Sequence, residues 1–251
     1  MEIYERDSWT NPGVNSIIGK EIYEYDIHSA GVNVLLYYGH LDKSLAEDLL
    51  SKDKKDRVVT FGKYLRKHPE LNKTLKEDFS NIRKLFFESN GLDLYDIVSI
   101  KKDAIFTTRR VQFTEFDNVK FDLKHNYSSY LKIPNLEFYY DRGNITIKGI
   151  GDDAIPYYES TWIPFFKNVF YKAETKEKEE VIKYIRSYID KYKKCELDIE
   201  FYRVLKPGYM FQLKNKEDDT VYLEFPKERF DELDISYNYT QILMKLGLIF
   251  I

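Results

Sequence analysis

Two apolar, β-prone runs, each ending at an aspartate and lying about eighty residues apart, constrain this chain more than any other feature. The first, Tyr23-Glu24-Tyr25-Asp26-Ile27, passes through His28 to Ser29-Ala30, which open the apolar stretch 32–38, so the order is strand, aspartate, helix. The second is a hairpin: residues 97–100 and 105–108 are short β-prone runs, and Lys101-Lys102-Asp103-Ala104 forms the tight turn between them. Each run can set a carboxylate at a sheet edge, where two carboxylates together can hold divalent metal ions. Taken singly, each aspartate also reads as an ordinary helix cap or turn residue.

Between the two lies a charged helical stretch, 74–89, with Leu75, Phe79, Ile82, Leu85 and Phe86 at helical spacing and Asn90-Gly91 at its end. Downstream, residues 110–116, 120–123, 136–140 and 145–150 read as strands, with a turn at Asp141-Arg142-Gly143-Asn144. A charged helix is expected over 174–193, with Val181, Ile182, Ile185, Tyr188 and Ile189 as its apolar stripe. Residues 209–213 and 221–225 bracket a polar loop and read as a hairpin, and the apolar run 242–251 is expected in the core. The fold class is therefore α+β, a mixed, mainly antiparallel sheet with helices on one face. A first domain is expected over 1–155, with a short insertion at 40–92, followed by a helical and β-hairpin lobe over 156–251.

With 43% hydrophobic and 16% aromatic residues, 251 positions suffice for a substantial core. There is no apolar run long enough for a membrane helix, and Met1-Glu2-Ile3-Tyr4-Glu5-Arg6-Asp7 lacks a signal peptide's basic and apolar regions. A single cysteine, Cys195, excludes an internal disulfide and by itself a structural zinc site. The expectation is a cytoplasmic protein with no membrane partner. A net charge of −3 argues against coating nucleic acid by bulk attraction, yet basic residues cluster in Lys52-Asp53-Lys54-Lys55-Asp56-Arg57 and Lys63-Tyr64-Leu65-Arg66-Lys67-His68. His28, His40, His68 and His125 lack metal-ligand spacing, and there is no nucleophile elbow or phosphate-binding glycine loop. Gly149-Ile150-Gly151-Asp152-Asp153 reads as a solvated turn.

These segments resemble the palm domain of family B DNA polymerases in a truncated, phage-like form. Asp26 through Gly31 is similar to motif A, an aspartate followed by xxSLYP, and Ser99 through Ala104 is similar to motif C, YGDTDS. In that register Asp103 takes the second motif C aspartate and Lys101 replaces the first. Lys84 with Glu88-Ser89-Asn90-Gly91 resembles motif B, whose basic residue grips the incoming triphosphate, and Arg83 is a second candidate for that role. Gly143 to Gly149 resembles the strand after motif C. The resemblance covers roughly residues 20–150. It implies that Asp26 and Asp103 are catalytic and bind Mg²⁺ or Mn²⁺, two ions in all. One ion would activate a 3′-hydroxyl and the other steady a triphosphate.

Lys84, Arg83, Ser29 and Gly31 would then line the nucleotide site. Gly31 stands where the family has the tyrosine that excludes a 2′-hydroxyl, which implies tolerance of ribonucleotides. The 40–92 insertion would be a small fingers element, and a complete replicative polymerase with an editing exonuclease is excluded by length. The richness in Tyr and Lys suits an AT-rich genome such as that of many phages, with the host cytoplasm as the location. The function implied is a compact metal-dependent nucleotidyltransferase, polymerase- or primase-like, acting on a DNA template and primer with nucleoside triphosphates, and alongside another replication subunit. Two other classes stay open: an inactive palm that binds nucleic acid or a replication partner, for which Lys101 and the missing tyrosine argue, and a metal-dependent nuclease using the same carboxylates.

Overall fold

The computed structural model describes residues 2–133, 136–150, 155–156, 158–194, 196–198, 201, 213–214, 220–221 and 242–250. Its contacts divide the chain into two compact units, Met1–Gly13 with Glu21–Asn126, and Val14–Lys20 with Tyr127–Ile251. One division falls between Gly13 and Val14, and the other two fall inside long strands, Ser16–Ile27 (β2) and Val119–Ile133 (β6), each of which contributes one end to each unit. The expected boundary at residue 155 lies within the second unit. The class is α+β with an antiparallel sheet.

In the first unit the strand order is β1 (Ser8–Thr10), β3 (Ile97–Lys101), β4 (Ala104–Thr107), β2, β6, with the two-residue β5 (Glu115–Phe116) paired to β6. β3 and β4 are the expected hairpin, and β4 pairs antiparallel with β2. Alternation along β2 sends Tyr23, Tyr25 and Ile27 into the apolar core and leaves Glu24 and Asp26 on the opposite face. Helices α1 (Ala30–Tyr37), α2 (Lys43–Ser51), α3 (Lys54–Lys67) and α4 (Glu70–Asn90) fill the interval between β2 and β3. α2 and α3 begin at Asp42 and Asp53, whose carboxylates accept first-turn N–H groups. α4 ends at Gly91 in the left-handed region, φ 55°, a conformation that costs glycine little.

The apolar stripe of α4 meets the sheet: Ile82, Phe86 and Phe87 are buried with Tyr25, Ile97, Ile100 and Ile105, and Phe86 stacks on Phe121 at 4.2 Å between ring centroids. Each such side chain contributes about 1.5–3 kcal/mol by leaving water. The strand expected over 110–116 is confined to β5; residues 110–114 are irregular. They are tied instead to side chains, the Val111 N–H to Tyr25 Oη and the Gln112 and Phe113 N–H groups to Asn90 Oδ1. Those bonds satisfy their backbone without a strand partner.

In the second unit β6 pairs with β7 (Leu136–Asp141) and β7 with β8 (Asn144–Lys148), around the expected turn at Arg142-Gly143. The helix expected over 174–193 is α6 (Lys178–Lys193), and its first residues belong instead to the end of a preceding helix that was not expected, α5 (Trp162–Thr175). The break falls at Lys176-Glu177, where extended backbone at both residues interrupts the ladder. α5 brings Trp162, Phe165, Phe166, Val169 and Phe170 into a core with Phe138, stacked 3.9 Å from Phe166, and Tyr140, stacked 5.0 Å from Phe170. The last apolar run is helix α7 (Leu243–Phe250), which buries Leu243, Leu246 and Phe250. Of the later hairpin, Leu213–Lys214 (β9) and Thr220–Val221 (β10) pair antiparallel. Its other residues, like Gly151 to Asp153 and Cys195, lie outside the described ones.

Candidate active site

The register of β2 against β4 sets Asp26 opposite Ala104, one residue from Asp103 in the β3–β4 turn, and the Ile27 N–H donates to the Asp103 carbonyl at 3.1 Å. The two aspartates thus come from neighbouring strands, and both line an open cleft of about 500 Å³ in the first unit. The cleft also takes in His28, Ser29 and Gly31 from the start of α1, Lys54, Arg57, Val58 and Phe61 from α3, and Asp122 and Lys124 from β6.

Electrostatics are concentrated at the aspartates. Burial first, then the negative charge of Asp26, pushes the Asp103 carboxyl above the usual carboxylate range. Asp26 is engaged on its other side: Lys124 Nζ donates to Asp26 Oδ2 at 2.6 Å, and this bond holds the Lys124 ammonium above its usual range. Asp122 faces His28 and Lys120, each at 3.7 Å.

On α3, positions 54, 57, 58 and 61 fall on one side of the helix, so two cations and two apolar side chains face the cleft together. Lys54 and Arg57 belong to the basic cluster seen in the sequence. Gly31 explains how α3 approaches: a Cβ there would lie 2.5 Å from Phe61 Cε1. The ring of Phe61 thus fills the space beside Gly31. Ser29 starts α1 in the left-handed region, φ 48° and ψ 44°, and its Oγ is buried with no hydrogen-bond partner among the described residues. Left-handed backbone costs a residue with a Cβ about 1–2 kcal/mol, so this entry to α1 is strained.

Of the six residues singled out in the sequence, Asp26, Asp103, Ser29 and Gly31 converge on the cleft, and Lys84 and Arg83 do not line it. Lys84 is half exposed on α4, 3.8 Å from Glu88 and over the ring of Tyr4. Arg83 is fully buried, donating Nε to the Tyr4 carbonyl at 2.7 Å and Nη1 to the Lys102 carbonyl at 2.8 Å, with Asp7 3.7 Å from Nη2. It braces the turn that carries Asp103. Lys101 donates to Thr10 Oγ1 at 3.1 Å.

Sequence reasoning passed over Lys124, Asp122, Val58 and Phe61. Helical spacing within 54–61 held the signal for the last two, whereas Lys124 is legible only once β6 is known to lie beside β2. Among the described residues, no group of three or more His, Cys, Asp or Glu side chains is placed to hold a metal ion. Asp26 and Asp103 are the pair that could share a divalent ion, because a cation between them would offset the repulsion that adds to burial in raising Asp103.

Fold and site together define an α+β protein whose antiparallel sheet presents two carboxylates to a cleft walled by basic and apolar helix residues. Within that class, the chain belongs to the bacteriophage PBS1 gene 130 protein family, whose model matches residues 1–245. No curated protein matches the chain. Among the described residues, no helix is long and apolar enough to cross a membrane.

Proposed function

We propose that this phage-family protein is a metal-dependent nucleotidyltransferase with a palm-like first unit. The observation that carries the reading is the convergence of Asp26 and Asp103: two segments that resemble polymerase motifs A and C lie on adjacent antiparallel strands and share one cleft. A divalent ion held there, Mg²⁺ or Mn²⁺, supplies Lewis acidity to a hydroxyl and a phosphate oxygen. The residues of the chain do the rest. Lys54 and Arg57 offer positive charge to phosphates, Phe61 and Val58 offer an apolar surface to a sugar or base, and Arg83 holds the Asp103 turn in register. On this reading the partners are a nucleic-acid template with its primer and a nucleoside triphosphate.

Gly31 acquires a second meaning here. Phe61 fills the space beside it, so an aromatic ring still borders the cleft, and sugar selection rests on that ring.

The test is extension of a labelled primer on a DNA template with Mg²⁺ or Mn²⁺ and either deoxy- or ribonucleotides, against Asp26→Ala and Asp103→Ala. Extension by the unaltered protein and by neither variant is the expected result. Degradation of the primer without any triphosphate would instead identify a nuclease. A second reading, a palm-like protein that binds nucleic acid without turnover, is favoured by one observation, the Lys124 ammonium already seated on Asp26. Primer binding with neither extension nor degradation would favour it.

A further inference from the structure

A cation of the chain itself already sits on one carboxylate of this cleft. Lys124 Nζ sits 2.6 Å from Asp26 Oδ2, and Lys124, Asp26 and Asp103 line the same cleft. Two carboxylates offer four oxygens between them to a pair of divalent ions that each take about six ligands. Here one oxygen of Asp26 is taken by an ammonium. The cleft's other carboxylate, Asp122, is turned to His28 and Lys120, and no cluster of three or more ligand side chains exists among the described residues. Charge leads to the same count. Asp26, Asp103 and the Lys124 ammonium sum to a single negative charge, which one divalent ion over-compensates by one, and in the rest of the cleft Lys54 and Arg57 outweigh Asp122, leaving a site suited to a polyanionic phosphate. Two divalent ions would add a charge of +4 beside Lys124, Lys54 and Arg57, with the cleft's further carboxylate, Asp122, already facing His28 and Lys120.

We propose that the site takes one divalent ion, between Asp103 and the free oxygen of Asp26, and that the Lys124 ammonium stands in place of a second ion. Lys124 is then a charge-supplying residue, placed by β6 to meet the same phosphate oxygens that a second metal would meet. This rests on the nucleotidyltransferase reading for the identity of the ligand, and refines it in the number of ions.

Mn²⁺ binding tests it directly, by titrating free Mn²⁺ with electron paramagnetic resonance over the unaltered protein, Lys124→Met, Lys124→Arg and Asp103→Asn, each checked for fold by circular dichroism. The expected result is one Mn²⁺ per chain for the unaltered protein and for Lys124→Arg, and none for Asp103→Asn. Lys124→Met is expected to bind at least about tenfold more tightly, or to take a second ion, once the competing charge is gone. Two ions in the unaltered protein, or unchanged binding in Lys124→Met, would overturn the inference and leave the metal-dependent reading standing. Binding by Lys124→Met alone would also overturn it, since Lys124 would then replace metal altogether. If neither protein binds Mn²⁺, with or without a nucleoside triphosphate, the inference and the nucleotidyltransferase reading fall together.

Discussion

Replacing Arg83 with methionine removes the brace beneath the Asp103 turn while keeping most of the buried aliphatic stem. Arg83 is 0% exposed and makes two side-chain hydrogen bonds to backbone carbonyls, of Tyr4 and of Lys102. A hydrogen bond from a charged donor is worth about 1.5–3 kcal/mol, but both bonds are only part-buried and Lys102 is exposed, so water recovers part and the two together set a loss of about 2–4 kcal/mol. Asp7 adds little, because it is 44% exposed and 3.7 Å away, and an exposed pair is worth about 0–1 kcal/mol. Working against the loss, burial lowers the affinity of the Arg83 guanidinium for its proton, so removing that desolvated charge returns part of the cost. The net expectation is a loss of about 1–3 kcal/mol. The assay is urea unfolding followed by circular dichroism, with Mn²⁺ binding measured on the folded variant. The midpoint should fall and metal affinity weaken, since the Lys102 carbonyl adjoins Asp103 in the turn. A loss below about 1 kcal/mol with metal binding intact would refute the reasoning, because it would mean that the turn holds its shape without Arg83.

Two further perturbations address the site itself. Asp103 has its pKa raised in the folded protein, so its contribution to stability is present at low pH and is lost as pH rises through that raised value. Asp103→Asn should therefore abolish activity yet raise the melting temperature at neutral pH, and narrow the difference in stability between pH 4 and pH 8; a lower melting temperature at pH 8 would contradict this. Gly31→Ala should destabilise, because the new Cβ meets the Phe61 ring at 2.5 Å, and Phe61→Leu in the same chain should recover part of the loss. Strictly additive effects in thermal unfolding would show that Phe61 does not pack against Gly31.

The local order of elements was legible because it depends on local chemistry. Alternation marked β2, the polar turn marked the β3–β4 hairpin, helical spacing and Asn90-Gly91 marked α4, and Asp141-Arg142-Gly143-Asn144 marked the β7–β8 turn. The convergence of Asp26, Asp103, Ser29 and Gly31 on one cleft also followed from that order, since the strand and hairpin that carry the two aspartates pair directly. What misled was chemistry whose partner lies far away in sequence. Residues 110–114 have strand-like composition, but Tyr25 and Asn90 satisfy their N–H groups. The charge pattern of 174–193 runs through the break at Lys176-Glu177, because charged residues suit a helix and its boundary equally.

Arg83 and Lys124 mark the limit most sharply. Both are basic residues in a polar sequence context, and nothing local separates them. Sequence alone determined that two aspartates would be offered by a strand and a hairpin, because β-propensity and turn chemistry act within a few residues. Only the tertiary structure decided which cation lies beside the Asp26 carboxylate. The packing of α4 on the sheet buries Arg83 beneath the Asp103 turn, and the pairing of β6 beside β2 brings Lys124 to Asp26 across 98 positions of chain. Coulomb energy depends on distance in space, and strand pairing, not sequence separation, sets that distance.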